Sequence, residues 1–420
     1  MGSLVADPST PRPRALQPLH SCIPPLIMGT ATFNTQYVPD PFDLPALSIV
    51  SRALDLGVRA FDTSPYYGPS EVILGNALAH PSVAARHPRD SYFLVTKAGR
   101  VAGAEFDYSP AWVRYSVLRS CERLHAPYLD LVYMHDVEFV SAAEVLAAVR
   151  ELRRLRAEGV LRYVGISGYP VDKLCELAEM VRRETGEPLD AVLSYGHYTI
   201  QNTTLGSSAM ARFDSAGVDV VLNASMLNMG LLTTRGADAG PMATWHPSPE
   251  GLRKASQDLV PIAVEAGEKL EVVAIRWALD NWSRVGAPKG GYTPRLPNGV
   301  RVGVSVMGIS NVAELEETCR VFNSVIEGLQ PGTTESEQTR RRQWSLDRRQ
   351  MIQGLVERMW AVLGEWKDYS WSSPEAGFVN TRKPADVGVT PDDGILAKHA
   401  LKSPVQVQVD ELSIGDVMAV

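Results

Sequence analysis

Residues 129–135 read Leu-Asp-Leu-Val-Tyr-Met-His, a run that is mostly apolar on both of its alternating faces. Strands of this kind are typical of parallel sheets that helices cover on both sides. Seven further apolar runs, rich in β-branched or aromatic residues, occur along the chain, which gives eight predicted strands. The other seven lie at 26–32, 58–63, 92–97, 163–167, 191–195, 218–223 and 302–307.

Segments with helical spacing separate these strands. The first of them places Ala46, Ile49, Val50, Ala53 and Leu54 on one face, as an amphipathic helix does. Eight strand–helix units favour a closed barrel over an open doubly wound sheet. No Gly-x-Gly-x-x-Gly motif follows the first strand, which argues against a Rossmann fold. The expected fold class is α/β, a (β/α)8 TIM barrel with active-site insertions and an extra C-terminal helix.

The chain divides into four regions of different character. Residues 1–25 are rich in Pro and small residues and are expected to be flexible, whereas residues 26–325 carry the barrel repeat. Residues 326–374 are expected to form a helical extension. Its main element is one amphipathic helix over 336–366 that packs outside the barrel. Residues 375–420 show no clear period and are expected to be partly disordered.

One stretch inside the barrel does not fit the repeat. Residues 233–300 contain helical segments together with Gly- and Pro-rich loops, notably Gly286–Asn298. Barrel enzymes carry their functional insertions on the loops at the carboxyl ends of the strands. We therefore expect this stretch to cover the active-site face.

Charge and cysteine content exclude several classes of protein. The formal net charge is −7, from 41 Lys and Arg against 48 Asp and Glu, so nucleic acid and anionic membranes are not expected as partners. The four cysteines are far apart in sequence, which favours reduced thiols over disulfides or a zinc site. There is no apolar signal segment and no run of about 20 apolar residues. We expect a cytoplasmic protein that acts as a monomer.

Polar residues end three consecutive strands. Asp62 ends the second strand, Lys97 the third and His135 the fourth, and Tyr67 follows the second strand closely. Barrel enzymes place their chemistry at this end of the strands. A nearby ammonium lowers the pKa of a tyrosine, and a buried lysine needs a carboxylate partner. Lowering a tyrosine pKa from near 10 by about 3 units takes about 4 kcal/mol. The pattern predicts an acid/base tyrosine whose pKa is lowered by a Lys–Asp pair.

The segment Asp62-Thr-Ser-Pro-Tyr-Tyr-Gly-Pro-Ser-Glu71 resembles the Asp-Thr-Ala-x-x-Tyr-Gly-x-Ser-Glu motif of the aldo-keto reductases. The Thr-Lys and Asp-Leu-x-x-x-His segments of the next two strands match the same family, and the resemblance covers 26–325. It implies that Tyr67, directly before Gly68, is the acid/base, with Asp62 and Lys97 as its tuning pair. It also implies that His135 orients the substrate, and that Tyr66 belongs to the pocket wall.

The resemblance implies a nicotinamide cofactor held across the barrel mouth. The segment from Gly308 to Asn311 is similar to the family's phosphate- and ribose-binding segment. Free backbone N–H groups at a helix start bind phosphate, although Ser310 or Asn311 can also be the helix N-cap. Acidic Glu314 and Glu317 favour NAD, with NADP as the alternative. The cofactor-binding residues expected are Gly29, Thr30, Asp62, Ser167, Ser194, Ser225, Leu227, Gly308, Ser310, Asn311 and Glu314.

Three positions depart from the usual pattern of the family. Ser167 is followed by Gly168 where an Asn is common, Ser194 stands where Gln is usual, and Ala224 stands where many members stack a Tyr on the nicotinamide. At these positions the chain resembles the plant L-galactose dehydrogenases and the fungal D-arabinose 1-dehydrogenases. The segments Ile166-Ser-Gly-Tyr-Pro and Tyr369-Ser-Trp-Ser-Ser-Pro are similar to the same two groups.

The resemblance to these two groups of enzymes implies a function in carbohydrate metabolism, and specifically in erythroascorbate biosynthesis. The resemblance implies that a free aldose of the D-arabinose, L-galactose or L-fucose type is oxidised at C1 to its lactone. The substrate-facing residues expected are Phe33, Asn34, Tyr66, His135 and His197. For His197, a satisfied structural histidine is an equally good interpretation.

Two other functions fit the same barrel. One is an NADPH-dependent aldehyde or ketone reductase, which would depend little on sugar stereochemistry. The other is a non-enzymatic partner like the potassium-channel β subunits, which share the barrel and the four residues. A metal-dependent barrel is not expected, because no His, Asp or Glu cluster has ligand spacing.

Overall fold

The structure is a computed structural model that describes residues 17–332 and 336–400. Eight parallel strands close into a barrel in which the first strand also pairs with the last. The eight predicted strands and the (β/α)8 fold class are confirmed. The strands are β1 (Leu26–Gly29), β2 (Ala60–Asp62), β3 (Phe93–Ala98), β4 (Leu129–His135), β5 (Leu161–Gly168), β6 (Ala191–Tyr195), β7 (Val220–Ala224) and β8 (Val304–Gly308).

Helices follow the strands and cover the outside of the barrel. The helix after β4 begins at a capping box, in which Ser141 and Glu144 each bond to the other's backbone N–H. The helices are α1 (Ala46–Asp55), α2 (Ser70–Ala79), α3 (Pro81–Ala84), α4 (Pro110–Arg123), α5 (Ala142–Ala157), α6 (Val171–Thr185), α7 (Ser208–Ser215), α8 (Glu250–Gln257), α9 (Val260–Glu265), α10 (Leu270–Val285), α11 (Val312–Leu329), α12 (Ser336–Leu363) and α13 (Ile395–Ala400).

Alternate positions of each strand face opposite sides of the sheet, and here both sides are apolar. Ile27, Val95, Leu131, Leu222 and Val304 are fully buried inside the barrel. The intervening strand residues pack against the helices in a second, larger cluster. The two cores make the barrel rigid and leave its carboxyl rim to carry polar groups.

The stretch 233–300 is divided between the two ends of the barrel. Trp245 contacts Tyr37 of the loop after β1, so the segment before α8 covers the carboxyl face as expected. In contrast, Gly291 packs against Ile23 at the amino end of the barrel. The expectation that Gly286–Asn298 covers the active-site face is therefore wrong. That loop leads into the start of β8, and in a parallel barrel the segment before each strand lies at the amino end.

The segment just before β1 closes the amino end of the barrel. Leu19 and Ile23 are each 1% exposed and join the core inside the barrel. His20 bonds to Asp219 through its ring, with 2.6 Å between Nδ1 and Oδ1. Residues 17–25 are thus packed, which differs from the expected flexibility of 1–25 because two apolar side chains anchor them. Residues 1–16 lie outside the described residues.

The predicted C-terminal helix is confirmed as α12, which packs outside the barrel on α10 and α11. The Trp360 indole donates to the Ile200 carbonyl at 2.9 Å. Farther along, Arg382 pairs with Glu105 and Asp107, and α13 packs on α4. Residues 375–400 therefore follow the barrel surface, whereas 401–420 lie outside the described residues.

The state of the cysteines and the character of the helices can be read from the described residues. All four cysteines fall within them and are free thiols, as expected. None of the helices in 17–332 and 336–400 combines the length and the apolar character needed to span a bilayer.

Candidate active site

A buried ion pair joins the ends of β2 and β3. The Lys97 ammonium donates to Asp62 Oδ1 at 2.6 Å and to the Thr63 carbonyl at 2.9 Å. The Lys97 and Asp62 side chains are only 3% and 6% exposed. Burial raises the pKa of Asp62, and the ammonium works against that shift. Two charges are thus held out of water at the rim, where each depends on the other.

Tyr67 lies beside this pair, in the turn that follows β2. The turn is closed by the Tyr67 N–H, which donates to the Ser64 carbonyl at 3.1 Å. Gly68 completes it with a φ of 57°, a left-handed conformation that favours glycine. The Lys97 Nζ lies 4.8 Å from the centre of the Tyr67 ring. The structure therefore brings the predicted tyrosine, lysine and aspartate together.

His135, at the end of β4, completes the group. Its ring meets the Tyr67 ring edge-on, with 5.6 Å between centroids. Its Nδ1 lies 3.0 Å from Ser64 Oγ, which fixes the ring orientation. Burial lowers the pKa of His135 to about 3, so the imidazole is neutral. A neutral imidazole facing a phenol can orient a substrate oxygen between them.

The pKa of Tyr67 departs from the expectation. Burial raises it well above its usual value, and the carboxylates of Asp62 and Asp136 raise it further. The Lys97 ammonium is hydrogen-bonded to Asp62, so the pair offers little net positive charge to the phenol. The expectation that the Lys–Asp pair lowers this pKa is therefore wrong for the chain by itself. Tyr67 keeps its proton at neutral pH.

Two charged residues at this rim were not among the predicted site residues. Arg100, in the short hairpin of Arg100–Ala102 and Glu105–Phe106, is ion-paired with Asp136. Its guanidinium stacks 3.9 Å above the Tyr66 ring, and that ring lies 5.7 Å from His135. Asp136 directly follows the β4 histidine, so an acidic residue at a strand end was the available signal.

Glu138 is a third missed residue, and it connects the rim to the C-terminal segment. Its Oε1 accepts from the Tyr169 N–H at 3.1 Å and from the Ser373 hydroxyl at 2.9 Å. Trp371 stacks on the Tyr169 ring at 4.5 Å. We call residues 366–373 the strap. The strap lies over the ends of β4, β5 and β6 and walls one side of the rim.

Phe33 and Asn34, two of the predicted substrate-facing residues, have partners within the protein. Phe33 is fully buried in the outer core, because its N–H bonds back to the Thr30 carbonyl and turns the chain inward. Asn34 bonds within its own loop, to Thr35 and Gln36.

His197 is held by the protein at both ring nitrogens. Nδ1 lies 3.0 Å from the Tyr195 carbonyl, and Nε2 lies 3.2 Å from the Ser370 hydroxyl of the strap. Burial lowers the pKa of His197 to about 4. These contacts fit the structural interpretation of this histidine, as an anchor of the strap.

The predicted cofactor hydroxyls inside the rim already have partners. Thr30 Oγ1 donates to the Asp62 carbonyl at 3.0 Å, and Ser167 Oγ donates to the Met134 carbonyl at 3.3 Å. Ser194 Oγ is 3.5 Å from the His197 ring. These buried hydroxyls support the rim from within, so any contact they make to a cofactor would have to share these bonds.

The predicted cofactor residues on the opposite side are more accessible. Ser225 and Leu227 are half-buried in the loop after β7, where Ser225 has a left-handed φ of 57°. At the end of β8, Gly308 is exposed, and a Cβ there would meet only Thr32, at 3.3 Å. Gly29 lies in the paired strand, in register with Gly308. The backbone at Gly308 is therefore open to a ligand, whereas Gly29 is buried and a Cβ there would lie 3.2 Å from the Val306 side chain.

The start of α11 holds a carboxylate where an anion would bind. The N–H and hydroxyl of Ser310 both donate to Glu314, at 2.8 and 2.7 Å. Asn311 is the N-cap, since its side chain accepts from the Glu314 N–H at 2.9 Å. The N-cap interpretation thus holds for Asn311.

One unpaired acceptor at the rim shows whether the site suits a dinucleotide. Asp62 Oδ2 is buried and has no hydrogen-bond partner among the described residues. Such an acceptor suits a ribose hydroxyl or another donor. Together with the open backbone at Gly308, it makes the rim compatible with a nicotinamide dinucleotide.

The fold and this site together define an oxidoreductase built on a (β/α)8 barrel. The chain belongs to the aldo/keto reductase family, whose model matches residues 25–329.

Two named relatives show which members of the family the chain is similar to. The chain is 40% identical over 296 residues to D-arabinose 1-dehydrogenase of Saccharomyces cerevisiae, covering 70% of this chain and 81% of that protein. It is 37% identical over 239 residues to L-galactose dehydrogenase of Arabidopsis thaliana, covering 56% and 70%. Among solved structures, a glycerol dehydrogenase from Gluconobacter oxydans has a TM-score of 0.52 at 19% identity and covers 85% of this chain and 97% of that one. That likeness supports the fold alone.

Glu138 makes the stability of the strap depend on pH. Burial and the Asp136 charge raise the pKa of Glu138 to about 8. The folded chain therefore binds this proton more tightly than the unfolded chain. The resulting stabilisation is complete below the ordinary pKa of about 4.5 and is lost as pH rises through about 8. We expect Glu138→Gln to gain a few degrees in Tm relative to wild type between pH 6 and pH 9.

Thermal unfolding at both pH values measures this difference. Glu176→Gln is the matched control, because that carboxylate is exposed on α6, and its Tm difference should not change with pH. An equally constant difference for Glu138→Gln would show that Glu138 is ionised throughout.

Proposed function

We propose that this chain oxidises a free aldose at its C1 hydroxyl to the aldonolactone and reduces NAD or NADP. The observation that carries the proposal is Tyr67 facing His135 above the buried Lys97–Asp62 pair. Two relatives named as dehydrogenases of D-arabinose and L-galactose support a sugar substrate. We take D-arabinose, L-galactose and L-fucose as the candidate aldoses.

Tyr67 exchanges the proton of the C1 hydroxyl in this mechanism. Oxidation needs the phenolate as general base, and the raised pKa of Tyr67 means that the phenolate fraction grows with pH. The oxidation rate should therefore rise through the alkaline range, whereas the protonated phenol is ready to act as an acid in the reverse reaction. The oxidised nicotinamide, when bound, supplies the hydride acceptor and a positive charge that favours a nearby phenolate.

His135 orients the same oxygen from the other side. Its neutral ring is fixed by Ser64, so it can hydrogen-bond the C1 oxygen without competing for the proton. Lys97 and Asp62 hold the end of β3 and the turn of Tyr67 in one place. A fixed geometry of this kind lowers the barrier through positioning.

The residues that would hold the dinucleotide favour NAD. Residues 308–317 contain three carboxylates and no Lys or Arg, so nothing in this segment can clamp a 2′-phosphate. Glu314 lies at the first turn of α11, where it would repel that phosphate and could accept from a ribose hydroxyl. Gly308 leaves the backbone exposed nearby, whereas the Ser310 N–H already donates to Glu314.

Replacing Tyr67 by Phe removes only the hydroxyl that moves the proton. We expect kcat for D-arabinose oxidation to fall by about 10²-fold to 10⁴-fold, which is the usual contribution of a general base. Nucleotide affinity should stay nearly unchanged. Steady-state NADH formation and a binding titration measure the two effects.

The control is Tyr128→Phe, which removes a buried, unpaired hydroxyl just before β4, at the opposite end of the barrel. It should keep the wild-type rate. Tyr67→Phe retaining most of its activity would rule out Tyr67 as the proton-transfer group.

Glu314→Gln tests the basis of the cofactor preference. Removal of the carboxylate should raise the ratio of kcat/KM for NADP to that for NAD, by about tenfold if the repulsion is near 1.4 kcal/mol. Glu316→Gln serves as the control, since that neighbouring carboxylate pairs with Arg52 instead. A ratio that is unchanged in Glu314→Gln, or that rises equally in both variants, would exclude Glu314 as the selective group.

A further inference from the structure

The geometry points to Asp136 as the residue that recognises the hydroxyl on C2 of the sugar, next to the carbon that reacts. This inference rests on the proposed oxidation of an aldose at C1. It assigns to Asp136, held in place by Arg100, the selection of aldoses over substrates that lack an adjacent hydroxyl. The recognised group is the sugar's own O–H donor.

Asp136 has one carboxylate oxygen bonded and one without a partner. Oδ2 is ion-paired with Arg100 and lies 3.6 Å from His135 Nε2. Oδ1 is buried and accepts no hydrogen bond from any described residue, and the side chain is 2% exposed. A buried acceptor without a donor is unfavourable. A substrate hydroxyl at this rim would satisfy it.

The position of Asp136 relative to the reacting oxygen identifies which hydroxyl it would meet. The C1 oxygen has to lie within reach of both Tyr67 and His135, whose rings face each other. Asp136 Oδ2 lies 3.6 Å from His135 Nε2, so the carboxylate borders the place of the C1 oxygen, and the substrate hydroxyl nearest to that place is the one on the adjacent carbon. The hydroxyl on C2 is the neighbour of the C1 oxygen in every aldose.

Arg100 keeps Asp136 in a form that can only accept. Burial acts to raise the pKa of Asp136, but the Arg100 guanidinium acts against it through its charge and its hydrogen bond, and the pKa is lowered. Arg100 is itself fixed from two sides, by the Tyr66 ring and by the Gly103 carbonyl at 2.9 Å. An ionised acceptor at a fixed place distinguishes a hydroxyl donor from a C–H group.

Two pentoses that differ only at C2 provide the test. 2-Deoxy-D-ribose is D-arabinose without its C2 hydroxyl, so the two sugars present the same remaining hydroxyls. We expect wild type to prefer D-arabinose by at least about 10²-fold in kcat/KM, because the deoxy sugar leaves Asp136 unpaired. Asp136→Ala should lose about 10²-fold with D-arabinose and only a few-fold with 2-deoxy-D-ribose, so that the preference collapses.

Asp136→Asn provides a second variant in case the alanine variant folds poorly, and it should reduce the preference in the same direction by a smaller factor. Glu105→Gln is the control, since it removes the hairpin's other ion pair, to Arg382, and should leave the preference unchanged. If L-galactose is the better substrate, L-galactose and its 2-deoxy derivative form the matched pair.

The outcomes separate this inference from the proposed function. Equal losses on both sugars in the Asp136 variants would mean that Asp136 only supports the structure, which overturns the inference and leaves aldose oxidation intact. A wild type that favours neither sugar of the pair overturns it as well. Failure of wild type to oxidise any of these sugars with NAD or NADP overturns the proposed function itself.

Discussion

The buried ion pair of Lys97 and Asp62 is the interaction on which the site depends. Removing two charges from water costs several kcal/mol for each ion, and here the 2.6 Å contact and the Thr63 carbonyl offset that cost. Loss of one partner alone would strand the other charge, at about 3–5 kcal/mol. The pair therefore fixes the ends of β2 and β3, and with them the turn that carries Tyr67.

The other ionisable groups of the rim lie around the Lys97–Asp62 pair. His135 is neutral, Asp136 is kept ionised by Arg100, and Glu138 holds its proton until mildly alkaline pH. The three follow one another at the end of β4, within four residues of sequence. In the proposed reaction, one strand end would thus supply a group for the reacting oxygen and an acceptor for its neighbour, beside the Glu138 anchor of the strap. The pKa values differ because each side chain has a different partner.

The barrel and the four predicted site residues could be read from the sequence because both are local patterns. A short run that is apolar on both faces marks each strand, and a polar residue ending a strand must reach the same rim as its neighbours. The Arg100–Asp136 pair was not foreseen, since it depends on the register of β3 against β4, which sets Ala98 beside Met134 and so brings the two residues beyond those strands together. Phe33 was misplaced because one backbone bond turns it into the core. The raised pKa of Tyr67 depends on burial and on carboxylates, and sequence order shows neither.

In the proposed reaction, hydride leaves C1 of an aldose at the rim where Tyr67 and His135 meet. The most direct measurement uses D-arabinose that carries deuterium at C1, incubated with the protein and NAD, followed by mass spectrometry of the reduced nucleotide and the sugar product. We expect one deuterium in each reduced nicotinamide and an aldonolactone that has lost it. Reduced nucleotide without deuterium, or a product that keeps the label at C1, would contradict it.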